Sequence, residues 1–99
     1  MATILTPSNL KLPLIGTKGK KKALTLEQMQ QAVGGYIEHV YGPTGKLLCI
    51  INEEGCYTSE PINEPARTLI AKAFGTSTAS IVPIRGNVIL ADDLGDEMA

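Results

Sequence analysis

The chain has 99 residues, 43% of them apolar, and its nine basic and ten acidic side chains leave a formal charge of −1. That length suits one compact domain, 1–99, with a modest core; the charge balance excludes a uniformly basic duplex-binding surface, and the longest apolar run, Leu47 to Ile51, is far too short to span a bilayer. With one Phe, no Trp and three Tyr, the core has to be built from Leu, Ile, Val and Ala, and part of the apolar surface is expected to be buried in a homo-oligomer.

In chain order, residues 2–6 and 10–15 read as two short strands joined by the turn Thr6-Pro7-Ser8-Asn9. Leu10, Leu12 and Leu14 alternate with Lys11 and Pro13, and Pro13 places the second strand at a sheet edge because it has no N–H to donate. Residues 17–22 form a flexible basic loop containing Lys18, Lys20, Lys21 and Lys22. Thr25 then caps a helix, and Gln28 completes a capping box. Leu26, Met29 and Val33 share one face with Ala32, and Gly34 ends the helix.

Tyr36 to Tyr41 reads as a strand, Gly42-Pro43-Thr44-Gly45 as a turn, and Leu47 to Asn52 as an interior strand with both faces covered. Asn52-Glu53-Glu54-Gly55 is a second turn in which Gly55 supplies a positive φ. Cys56-Tyr57-Thr58 is expected to pair back as a short strand. Asn63 caps a second helix whose apolar face is Ala66, Leu69, Ile70 and Ala73, with Arg67 and Lys72 in solvent and Gly75 at the end. Ile81 to Ile84 and Val88 to Ala91 read as one interrupted strand or as two. The acidic segment 92–99 is expected to fray. The order β-β-α-β-β-β-α-β predicts an α+β fold: a mostly antiparallel sheet with two helices packed on one face.

The run Leu26-Glu27-x-Met29-Gln30-x-x-Val33-Gly34-Gly35-Tyr36-Ile37-Glu38, followed by Asn52-Glu53-Glu54-Gly55 and Pro61-x-Asn63-x-x-Ala66, resembles a domain of unknown function found in small phage, plasmid and actinobacterial proteins. The resemblance covers roughly residues 23–91, with the lysine loop and Arg85-Gly86-Asn87 as departures. It implies no established reaction. It implies a phage or mobile-element setting, where small inhibitors of host defence are common.

Tests for catalytic chemistry find no complete set, so no enzyme is expected. His39 is the only imidazole, and Cys49 and Cys56 are the only thiols. A thiolate pair would need His39 facing Cys49 and an oxyanion hole. Glu53 and Glu54 splay into water from a turn, unlike carboxyls tuned for acid–base work. Two cysteines and one histidine make a poor metal set, and no metal or cofactor is expected. Tyr36, Tyr41 and Tyr57 do not make one stacking platform, because Tyr36 and Tyr41 have opposite strand parity. Gly16-Thr17-Lys18-Gly19-Lys20 lacks Walker spacing but has the amides and cations to hold phosphate.

The candidate ligand-binding residues are Lys18, Lys20, Lys21, Asn63, Arg67 and Arg85, with the free N–H groups at the start of the second helix as an anion site. The sequence therefore predicts a non-enzymatic binding protein, located in the host-cell cytoplasm with reduced thiols and away from membranes. It would sequester a small anionic, nucleotide-derived ligand. The alternatives are an inhibitor that docks on a host defence protein and, with less support from the charge balance, a nucleic-acid accessory protein.

Overall fold

The first turn folds the chain back on itself through local polar bonds. The Thr6 N–H donates to the Leu10 carbonyl at 2.9 Å, and Thr6 Oγ1 accepts from the Leu10 N–H at 3.0 Å. Asn9 takes a φ of 67°, the left-handed conformation that Asn tolerates better than most side chains. The result is an antiparallel hairpin of β1 (Ala2–Leu5) and β2 (Lys11–Leu14). The computed structural model describes residues 2–20, 23–55 and 58–90. Lys21, the Cys56–Tyr57 pair and the acidic tail lie outside these residues.

α1 (Leu26–Val33) begins as its sequence dictates. Thr25 Oγ1 accepts from the Gln28 N–H, and Gln28 Oε1 accepts from the Thr25 N–H, both at 3.0 Å. Met29 and Val33 are buried, but Leu26 is exposed and leaves the expected apolar face. β3 (Ile37–Tyr41) and β4 (Leu47–Asn52) follow as an antiparallel hairpin with an irregularity between Val40 and Tyr41. α2 (Glu64–Phe74), a 3-10 turn at Thr78–Ser80 and β5 (Val88–Leu90) complete the chain. In α2 it is Ala71, not Ala73, that joins Ala66 and Ile70 in the buried set.

The fold is α+β, with two helices and one five-stranded antiparallel sheet ordered β2-β1-β5-β4-β3. Ile81–Ile84 is not a strand, and Val88–Leu90 alone forms the middle of the sheet. Thr58 sits in a bend. Cys56 and Tyr57 of the expected Cys56–Thr58 strand lie outside the described residues, and β3 and β5 flank β4. β2 is an edge, as Pro13 required. The Thr6–Leu10 bond sets the parity of the hairpin, so Leu12 and Leu14 bond to β1 while Lys11 and Pro13 turn their backbone outward.

The two helices lie on opposite faces of the sheet, which corrects the one-face expectation. Ile50 pairs with Ile89, and Cys49 with Leu90. Ile50 and Ile89 pack with Ala2, Met29 and Val33 under α1. Cys49, Val88 and Leu90 pack with Leu5, Ala66 and Ile70 under α2. Successive strand residues point to opposite faces, so β4 and β5, apolar at consecutive positions, need cover on both. Each fully buried Ile contributes roughly 1.5–3 kcal/mol relative to exposure.

Candidate functional site

The end of α1 is built to leave acceptors free. Gly34 adopts a φ of 85° and its N–H donates to the Gln30 carbonyl at 2.9 Å; the Gly35 N–H donates to the same oxygen at 3.0 Å. That doubling leaves the Gln31 and Ala32 carbonyls without a backbone donor among the described residues. Asn52 reaches the next one, with Nδ2 donating to the Val33 carbonyl at 3.3 Å. Its Oδ1 accepts from the Glu54 N–H at 2.8 Å. Asn52 lies close against residue 35, where a Cβ would stand 3.0 Å from Nδ2. Gly55 sits in a tight space as well. It does not take the positive φ expected of it, but a Cβ there would stand 3.1 Å from the Asn52 carbonyl oxygen.

The opposite wall is the segment 58–62, which is laced to 84–86. The Asn63 N–H donates to the Ile84 carbonyl at 2.7 Å and the Gly86 N–H to the Pro61 carbonyl at 2.9 Å. Arg85 Nη1 donates to the Glu60 carbonyl at 3.1 Å. Between this wall, the end of α1 and the 7–8 turn lies an open cleft of about 660 Å³. A second hollow of about 450 Å³ shares Gly34, Asn52 and Thr58 with it and is flanked by Tyr36 and Glu54. Small-molecule sites span roughly 300–1,000 Å³, so either volume is adequate. Thr58 Oγ1 is buried here without a hydrogen-bond partner. Buried hydroxyls are normally paired, so this one is an exception in the wall.

The structure does not bring the candidate residues together. Asn63 is wholly buried and saturated. Its Oδ1 accepts from the Ala66 N–H at 3.0 Å, and Nδ2 donates to the Leu5 and Gly86 carbonyls at 2.9 and 2.8 Å. It caps α2, as the sequence predicted, and has nothing left for a ligand. Arg67 is not in solvent: its side chain is 14% exposed and pairs with Glu64. Its Nη2 donates to the Thr78 and Ile81 carbonyls at 3.1 and 2.6 Å, tying the 3-10 turn to α2. Arg85 is held against the backbone of Glu60.

Lys18 and Lys20 are exposed at the far end of β1. Lys18 exchanges two 2.9 Å backbone bonds with Ala23. Gln28 fixes the approach to that loop, Nε2 donating to the Ile15 carbonyl at 2.8 Å and Oε1 accepting from the Thr17 N–H at 3.3 Å. The loop therefore follows Leu14, which is opposite Ala2, whereas Asn63 bonds at Leu5 and sits on the other face of the sheet. It does not cover the start of α2.

The other groups tested for chemistry are also separated. Cys49 pairs across the hairpin with Val40, and His39 with Ile50. The thiol and the imidazole thus point to opposite faces. Burial pushes the Cys49 thiol up to about 12, away from a nucleophilic thiolate. His39 stacks on Tyr41 with ring centres 6.3 Å apart. Glu53 and Glu54 are exposed in their turn. Among the described residues no three His, Cys, Asp or Glu side chains converge on a metal position, and no helix is long and apolar enough to cross a membrane.

Asn52, Thr58 and Glu60 line the cleft and were not singled out as site residues. One signal pointed to the place: Gly34 alone suffices to end α1, so the second glycine marks a close approach. The chain belongs to the family described as Domain of unknown function (DUF3846), which it matches over residues 9–99. That span takes in both the lysine loop and the Arg85–Asn87 segment. No curated protein and no solved structure matches the chain.

Proposed function

We propose that this chain is a non-enzymatic binding protein that works by stoichiometric capture, and that the cleft between the end of α1 and residues 58–62 is its receptacle. The observation that carries the reading is an open cleft of about 660 Å³ with the polar side chains of Gln31, Asn52, Glu60 and Asn87 in its lining. The motif resemblance adds a phage or mobile-element origin and a role against host defence in the host-cell cytoplasm. A nucleotide-derived anion held by a lysine lid loses support, since Lys18 and Lys20 sit at the other end of β1 and the cleft is lined by no lysine or arginine among the described residues.

Titration calorimetry against a panel of small metabolites, followed by chromatography of the mixture, tests capture. The expected result is saturation at one ligand per chain with the ligand recovered intact. Product accumulating beyond the amount of protein refutes it. A second reading, direct docking on a host protein, is favoured by the β3 edge. The Glu53 N–H bonds to the Tyr36 carbonyl, so Ile37 and His39 turn their backbone groups outward. No proline blocks that edge, and Tyr36 beside it is 70% exposed. Such an edge accepts an added strand from a partner, and it would equally serve the expected homo-oligomer.

A further inference from the structure

We infer that the open edge of β3 pairs with the β3 edge of a second copy, antiparallel about a two-fold axis at His39, so that one sheet runs through a dimer; this takes the edge of the second reading and names its occupant. Among the described residues the sheet has two outer strands, β2 and β3. β2 is closed to pairing, because Pro13 faces outward with no N–H to give and Lys11 lies on the same edge. β3 carries no proline or lysine from Ile37 to Tyr41. With the other edge closed, strand pairing between copies is left only a self-complementary contact, which ends at two chains rather than growing into a filament.

Hydrogen-bond parity fixes the register. The Glu53 N–H bonds to the Tyr36 carbonyl and the Gly42 N–H to the Lys46 carbonyl, so Ile37, His39 and Tyr41 turn their N–H and C=O groups away from β4. With the axis at His39, that residue faces its own copy, and Ile37 of each chain faces Tyr41 of the other. Every outward donor and acceptor is then bonded, and Glu38 falls opposite Val40. With the axis at Glu38, two carboxylates stand directly opposite each other, and Tyr41 meets Gly35, whose N–H is already given to Gln30. With the axis at Val40, Ile37 meets Pro43, which has no N–H. The helices leave room for the approach. The buried clusters under α1 and α2 take their strand residues from β1, β4 and β5, and β3 adds only the partly buried Ile37 and Val40 at their margins. Pairing covers both, and sets Tyr41, 55% exposed, against Ile37 as an aromatic–β-branched pair.

Sedimentation of the full chain over a micromolar to submillimolar series, with hydrogen exchange read at the β3 amides, tests the pairing. The expected result is a dimer whose formation protects the Ile37, His39 and Tyr41 amides. His39→Pro removes an outward N–H and Tyr41→Lys adds a charge at an exposed edge position; each is expected to weaken dimerisation at least tenfold. Circular dichroism checks their folding, and Tyr41→Lys decides alone where His39→Pro unfolds. In a Cys56→Ser background, His39→Cys is expected to cross-link to its own copy under mild oxidation, since paired Cα atoms about 5.5 Å apart lie within the roughly 4.4–6.8 Å that disulfides span. A monomer throughout the series would overturn the inference and leave the edge to a host strand. A dimer that survives both substitutions, or one in which His39→Cys does not cross-link, would put the contact elsewhere and overturn it too.

Discussion

Asn63 tests whether the start of α2 is a ligand site or a structural joint. In Asn63→Ala three bonds vanish at a fully buried position: the cap to the Ala66 N–H and the two donations to the Leu5 and Gly86 carbonyls. Loss of a cap costs about 1 kcal/mol, and each buried carbonyl left without its donor costs roughly 1–3 kcal/mol. The expected total is about 3–7 kcal/mol, against roughly 5–15 kcal/mol for a whole domain. At a urea slope of roughly 1–1.5 kcal/mol/M, the midpoint should fall by about 2 M or more.

Asn63→Asp separates the terms. It keeps an oxygen for the cap but loses both donors and places a charge against two carbonyls. It should be at least as destabilised as Asn63→Ala at neutral pH, and partly relieved, relative to the unsubstituted protein, as falling pH restores an O–H donor. Urea melts monitored by circular dichroism read all three proteins. A loss under 1 kcal/mol in Asn63→Ala, or an Asn63→Asp protein more stable than Asn63→Ala, would refute the joint.

Cys49 should resist alkylation in a Cys56→Ser background until the protein opens, so labelling should follow urea unfolding rather than thiol ionisation. Its folded pKa of about 12 lies above the ordinary 9.0; between those values the unfolded chain binds fewer protons, so stability is lost as pH rises through that window, and Cys49→Ala should flatten the decline. Gly35→Ala should cost about 1–3 kcal/mol by displacing the Asn52 amide from both its bonds, visible as altered Asn52 side-chain amide resonances. Arg67→Lys should recover less than half of the stability lost in Arg67→Met. One ammonium cannot span Glu64 and two carbonyls as a planar guanidinium does; equal stability of Arg67→Lys and the unsubstituted protein would contradict this.

The fold was legible wherever one local signal decided the outcome. Thr25 and Gln28 announce α1, Asn63 announces α2, and Pro13 announces an edge, because each involves atoms within four residues of one another. The placement of α2 was a non-local question, yet the sequence held its answer. The unbroken apolar run Leu47–Ile51 already demanded cover on both faces, and two helices on one face cannot supply it. One edge of β4 belongs to β5, whose Val88, Ile89 and Leu90 are all buried and so require an interior position.

The site was less legible because charge is a poor guide to where side chains end up. Arg67 and Arg85 look like surface cations in sequence, but unpaired carbonyls recruit them: the 3-10 turn at Thr78–Ser80 and the bend at Glu60 each leave oxygens that no regular ladder satisfies. Buried polar groups demand partners, and a guanidinium satisfies two at once. Asn63 is consumed in the same way. The Gln31 and Ala32 carbonyls are left without a backbone donor among the described residues because Gly34 and Gly35 both bond to Gln30. A residue's availability to a ligand is thus what remains after the backbone has been satisfied.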